Sequence, residues 1–259
     1  MTVNNAISAE RRTQIESELD RLAAEHDVRI LVAVESGSRA WGFPSADSDY
    51  DVRMIYAHRR DWYLSVHEQR DVIEQPVSDL LDIGGWDLRK ALRLLTGGNA
   101  VVHEWLGSPI IYRQAPALGP LRELAGAAFN PRAAFHHYFA MAAGKLDVAG
   151  TEALTAKRFL YGLRTLLCAR WVYDQQTAPP MLFVDLLDRY VLPGKAERDD
   201  VDRLIRLKAG GSESDTDTGL GGLLDYAQDM VEQVRRLVPP AAFKLDAAIL
   251  DAGFRNLLD

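Results

Sequence analysis

Hydrophobic positions recur along this chain with two different periods, and the change from one to the other divides it. Residues 8 to 26 place Ile15, Leu19, Leu22 and Ala23 at helical spacing behind Ser8, which predicts an amphipathic helix with a serine N-cap. Val28 to Val34 is apolar and rich in β-branched residues, the pattern of a buried strand, and the chain becomes strand-like again after Asp49 through Tyr56. Trp62, Tyr63, Leu64 and Val66 form an apolar patch in a polar connection, and short strands are predicted at Asp71–Glu74 and Asp79–Ile83. Gly84-Gly85 then allows a sharp bend. Asp87 caps a helix in which Leu88, Ala91, Leu92 and Leu95 share one face and Gly97-Gly98 ends the run, with Trp86 placed to staple its first turns. Asn99–Trp105 reads as a short helix, Pro109–Tyr112 as extended, and Ala115–Ala128 as a helix interrupted at Gly119-Pro120.

From Pro131 onward the pattern is wholly helical. Helices are predicted over Arg132–Leu146, Glu152–Tyr173, Leu182–Tyr190 after Pro179-Pro180, Asp199–Lys208, and Leu223–Leu237 before Pro239-Pro240. Gly210–Gly222, rich in Gly, Ser, Asp and Thr, reads as a flexible loop, and the last segment is too short to read. The helix over 152–173 is the informative one. Lys157, Tyr161, Arg164, Cys168 and Trp171 recur every three or four residues and share a stripe, beside an apolar stripe of Leu160, Leu163 and Leu167. One reading is a snorkelling face whose cations reach water. The other sets this helix across a cleft from the strands, with Lys157 and Arg164 on phosphates and Tyr161 stacking or hydrogen-bonding.

Candidate chemistry lies at residues 34 to 53, where a small-residue turn joins two strands. Because a strand has period two, Asp49, Asp51 and Arg53 project from one face while Tyr50, Val52 and Met54 project from the other. At about 4 Å and an effective dielectric near 20, two like charges repel by roughly 4 kcal/mol, so this spacing needs a cation between them. Mg²⁺ fits that need, since it takes oxygen ligands and is held by one or two carboxylates plus substrate phosphates. Gly37 lets a phosphate approach the backbone, and the Ser38 hydroxyl and nearby amides can donate to it. An EF-hand loop starting at Asp47 fails, because Val52 stands where glycine is needed and His58 where glutamate is needed. For the third carboxylate Asp82 and Asp79 compete, with Asp79 three residues, roughly 10 Å of extended strand, further back.

Gly37-Ser38, ten residues, then Asp49-x-Asp51 resembles the signature of the DNA polymerase beta superfamily of nucleotidyltransferases. The fuller strings Gly-Ser-Arg-Ala-Trp-Gly-Phe and Asp-Ser-Asp-Tyr-Asp-Val-Arg resemble its RlaP-type branch, associated with RNA repair, as do Asp-Ile-Gly-Gly-Trp-Asp-Leu-Arg-Lys from Asp82 and the Lys157-x-x-x-Tyr161-x-x-Arg164 pattern. The resemblance implies an α/β (α+β) domain with a mixed sheet at residues 1–112, an all-helical domain at 113–259, and two Mg²⁺ ions held by two carboxylates on one strand and a third on a neighbour. Carried over, Asp49, Asp51 and Asp82 are the metal-holding catalytic residues. Gly37, Ser38, Arg39, Arg53, Lys157, Tyr161 and Arg164 are then the nucleotide-binding ones. The implied reaction moves a nucleoside monophosphate from a triphosphate, most simply ATP, to a hydroxyl or phosphate acceptor. An RNA end, a protein hydroxyl and a small molecule all stay open as acceptor. The rival is a module that keeps the fold and binds nucleotide without catalysis.

Composition narrows this in three places. The net charge of −7 over 259 residues disfavours a surface that coats long nucleic acid, though not a local basic cleft. The single cysteine, Cys168, excludes an internal disulfide and sits in an apolar helical pattern, and no run of about 18 apolar residues suggests a membrane span, so a cytoplasmic protein is expected. No Gly-x-x-x-x-Gly-Lys-[Ser/Thr] run supports a P-loop kinase.

Overall fold

The apolar run at Val28–Val34 becomes β1 (Arg29–Glu35), one of five strands in a mixed sheet. The others are β2 (Tyr50–Ala57), β3 (Val72–Glu74), β4 (Leu81–Asp87) and β5 (Ile111–Gln114), in the order β3-β4-β2-β1-β5. β1 pairs antiparallel with β2 and β5, β4 joins β2 in parallel, and β3 closes one edge antiparallel to β4. The computed structural model describes residues 7–146, 155–210 and 221–259. The first residues of the helix expected from Glu152 and nearly all of the loop expected at Gly210–Gly222 lie outside these.

Both faces of the sheet are covered, which is why β1 carries no exposed alternate positions. On one side α1 (Ala9–Glu25), capped by Ser8, lays Ile15, Leu19 and Leu22 against Ile30, Ala33, Val52 and Met54. On the other, α4 (Leu88–Thr96), α5 (Ala100–Leu106) and α6 (Leu118–Ala127) pack with α12 (Ala247–Leu258) on Leu31, Val32, Val34 and Ile55. Two short helices, α2 (Gly37–Trp41) and α3 (Arg60–Tyr63), follow β1 and β2. The remaining helices form a bundle: α7 (Pro131–Leu146), α8 (Ala156–Gln175), α9 (Phe183–Tyr190), α10 (Ala196–Ala209) and α11 (Gly221–Arg235). Its core gathers around α8 and takes in Phe43 and Ala100 from the sheet half. Since α6 and α12 belong to the sheet's core, packing divides the chain differently from a break at residue 112.

Several local expectations change. The turn after β1 winds into α2, ended by Gly42 in the left-handed conformation. Gly84-Gly85 makes no bend but runs through β4 opposite Arg53 and Met54. A Cβ on Gly85 would collide with the Met54 side chain, so glycine here serves close strand packing. Gly119-Pro120 falls in the first turn of α6, where a missing N–H costs nothing, so no interruption results. Trp86 stacks on Trp105 of α5 at 4.0 Å between centroids. Among the described residues no helix is long and apolar enough to cross a membrane.

Candidate active site

The site forms where β1 ends, α2 begins and β2 starts beside β4. Asp51 is the second residue of β2 and Asp82 the second of β4, and the parallel register makes them direct partners. That register sets Asp82 beside Asp51. Asp79 sits instead in the turn before β4, 75% exposed and paired to Arg11 at 3.2 Å. Asp49 precedes β2 and is exposed, yet its charge still reaches Asp51.

Gly37, at φ +60°, lies directly on Asp51, since a Cβ there would run into Asp51 Oδ2. Only glycine combines that backbone angle with that approach. Burial raises the proton affinity of Asp51; Arg53 opposes the shift, Asp82 and Asp49 reinforce it, and Lys157 opposes it again. The net shift is upward, with burial as its largest cause. Two carboxylates set side by side by the register offer the hard oxygen ligands that a divalent cation such as Mg²⁺ takes. As they stand, no three acidic, imidazole or thiol groups among the described residues are gathered to hold one ion. Arg53 stands between two of them, its Nη2 3.2 Å from Asp51 Oδ1 and 2.6 Å from Asp82 Oδ2.

The expected nucleotide-binding residues take different places. Arg39 clamps the approach to β2: Nε donates to the Asp49 carbonyl at 3.1 Å and Nη2 to that of Ser48 at 2.7 Å, while its guanidinium lies 3.9 Å over the Tyr50 ring. Ser38 is buried and its hydroxyl donates to Ser48 Oγ at 3.2 Å. Lys157 is exposed on the first turn of α8 and acts on Asp51 through its charge. Tyr161, one turn on, sets its ring edge against Trp41 at 4.9 Å, with the Lys145 ammonium 5.6 Å from its centroid.

Arg164 is the exception and requires a correction. It does not line an open cleft but is 1% exposed, paired to Glu104 of α5 at 3.1 Å and covered by Trp41 at 4.3 Å. The stripe runs from the open end of α8 into the core, so Lys157 meets solvent while Arg164 and Cys168 do not. Burial pushes the Cys168 thiol up to about 12, leaving it an inert core group.

Two groups escaped the sequence reading. Glu35, the last residue of β1, is fully buried; it accepts the Asp51 amide at Oε1, 3.0 Å, and the Tyr112 hydroxyl at Oε2. It thereby replaces the ladder partner that Asp51 loses where the chain turns off into α2. Burial raises its pKa to about 7 against the hydrogen bonds from Tyr112 and Asp51. Lys208 of α10 is also fully buried and donates at 3.2 Å to Ser45 Oγ, which is 2.8 Å from Ser48 Oγ, so the bundle reaches Ser38 through a row of hydroxyls. A carboxylate ending an apolar strand and a lysine in register with Val201 and Leu204 were the signals available.

Comparison with known proteins agrees with the motif. The chain is 40% identical over 225 residues to the uncharacterized protein YcgL of Bacillus subtilis (strain 168), covering 86% of each. A nucleotidyltransferase-like protein of known structure from Exiguobacterium sibiricum is 14% identical, with 85% of this chain and 75% of that one covered; its TM-score of 0.30 is too low to bear on fold or function. A family model described as the RNA repair pathway DNA polymerase beta family matches residues 11–253. With Gly37 seated on Asp51 and Asp82 its register partner, this chain belongs to that family, RlaP.

Proposed function

We propose that the protein is a Mg²⁺-dependent nucleotidyltransferase that moves a nucleoside monophosphate from a nucleoside triphosphate, most simply ATP, to a hydroxyl or phosphate acceptor. The observation that carries this reading is the contact of Gly37 with Asp51 beside its register partner Asp82. Asp49, Asp51 and Asp82 would hold the metal, which supplies electrostatic stabilisation of the acceptor oxygen and the leaving pyrophosphate. Gly37 leaves the backbone open to phosphate, and Lys157, whose charge acts on Asp51, would help neutralise a triphosphate held there. Tyr161, packed edge-on against Trp41 and Phe43, offers an aromatic platform at the same rim. Arg39 works through the backbone, holding Ser48 and Asp49 in place.

We take an RNA end as the first acceptor to test, because the family description names an RNA repair pathway. The net charge of −7 favours a short end over a long tract. The reaction is placed in the cytoplasm, where nucleoside triphosphates and Mg²⁺ are abundant. The test is to incubate the full chain with each radiolabelled triphosphate, Mg²⁺ and a cell extract, with and without nuclease treatment. Nuclease-sensitive label from one triphosphate is the expected result. Label on protein or metabolite would reassign the acceptor, and nucleotide binding without any transfer would leave the non-catalytic module.

A further inference from the structure

Asp51 and Asp82 are pressed together by the sheet itself, as register partners on adjacent parallel strands. That spacing cannot relax without breaking β2 from β4, so the charge has to be offset where it arises. Arg53 does this. It follows Asp51 by two residues and so shares its face. Nη2 reaches Asp51 Oδ1 at 3.2 Å and Asp82 Oδ2 at 2.6 Å, and Nη1 donates to the carbonyls of Val52 and Asp82 at 3.0 Å each. The guanidinium cannot lose its charge, and its planar fork is held on both strands at once. Asp51 Oδ2 is packed against Gly37, and Arg53 holds the other oxygen, Oδ1.

We propose that Arg53 is an internal counter-cation which a divalent metal must displace from Asp51 and Asp82, so that metal loading and release of the Arg53 guanidinium are one event. The inference rests on reading Asp49, Asp51 and Asp82 as the metal-holding set. It explains how two carboxylates set side by side by the strand register are held there without parting β2 from β4. It also gives Arg53 its nucleotide role in sequence: only after release are its donors available to a phosphate oxygen.

The test uses the full chain and metal alone, without nucleotide. Wild type and Arg53→Gln are compared by thermal unfolding and by calorimetric titration with Mg²⁺. Without metal, Arg53→Gln should melt lower; with metal, it should bind about tenfold more tightly, because nothing has to be displaced, and gain more in Tm. Equal or weaker binding by Arg53→Gln overturns the proposal. Absence of Mg²⁺ binding by both proteins overturns the metal reading itself, a separate and recognisable result. A second measurement follows the wild-type protein itself, with a conservative variant used only for assignment. The Arg53 guanidinium ¹⁵N signals, assigned by their loss in Arg53→Lys, should shift at the midpoint of the Mg²⁺ titration. Signals unchanged at saturation would show the pairing surviving metal binding and end the proposal.

Discussion

In the sheet half the charged groups taken out of water are carboxylates, Glu35 and Asp87, whereas in the bundle they are cations, Arg164, Arg198 and Lys208, among the described residues. Each set is satisfied differently. Glu35 accepts from the Asp51 amide and Tyr112, and Asp87 from the Arg89 amide at 2.9 Å and the Tyr63 hydroxyl at 2.7 Å, so the buried acids hold strand ends and helix starts within their own half. Arg198 is likewise local, on Asp188 at 2.7 Å. Arg164 and Lys208 instead cross to the other half, to Glu104 and Ser45. The sheet half therefore uses buried charge to fix strand ends and helix starts, the start of β2 at Asp51 among them, and two of the bundle's three buried cations fasten it to the sheet half.

The sharpest break of this comparison is a substitution that separates activity from stability. Asp51→Asn should lower nucleotide transfer by on the order of 10³-fold while leaving the melting temperature equal or higher, because a repelling charge is removed from the cluster. Retention of a tenth of wild-type turnover would falsify the active-site assignment. In the bundle the pattern should invert. Arg164→Ala should cost about 3 kcal/mol in urea unfolding, because the largely buried Glu104 loses its cation and keeps only the Tyr138 hydroxyl, and Arg164→Met with Glu104→Gln should recover much of it. A loss below about 1 kcal/mol would show that the bridge does not fasten the halves.

The buried acid of the sheet half predicts a pH dependence. Glu35 binds its proton more tightly folded, with a pKa of about 7, than at its ordinary value of 4.5. Its stabilising contribution is then complete below pH 4.5 and is lost as pH rises through 7, by at most about 3 kcal/mol at 1.36 kcal/mol per unit. Metal-free Glu35→Gln should lack this loss, and unfolding free energies at pH 4.5 and 8 for the two proteins test it; parallel curves would reject the shift. The smallest effect is expected at Lys208. Lys208→Met should raise KM for the triphosphate by up to about tenfold with kcat little changed, since the hydroxyl row to Ser38 loses its charged end. A fall in kcat alone, at constant KM, would argue against that route.

Periodicity was enough for most elements because it is local: α1 with its Ser8 cap, β1, β2, α4 and the bundle helices all follow from spacing. The boundary and the bends were not local. Gly84-Gly85 reads as a bend until Met54, far earlier in the chain, is seen to need the room at Gly85. α12 could not be read at all, because its apolar residues only acquire meaning against α4 and α6.

The site divides in the same way. Gly37, Ser38, Asp49 and Asp51 are a sequence signature because one turn and one strand carry them, and the period of that strand alone places Asp51 and Arg53 on one face. Setting Asp82, and not Asp79, beside Asp51 required the parallel register of β4 on β2, which no spacing specifies. The fate of each cation was a matter of partners far along the chain. Lys157 and Arg164 share a stripe and a charge, yet one is exposed and lends its charge to Asp51 while the other is buried on Glu104. A sequence states which groups can be charged. Where a charge is neutralised depends on which opposite charge the fold brings within a few ångströms, and only the tertiary structure decides that.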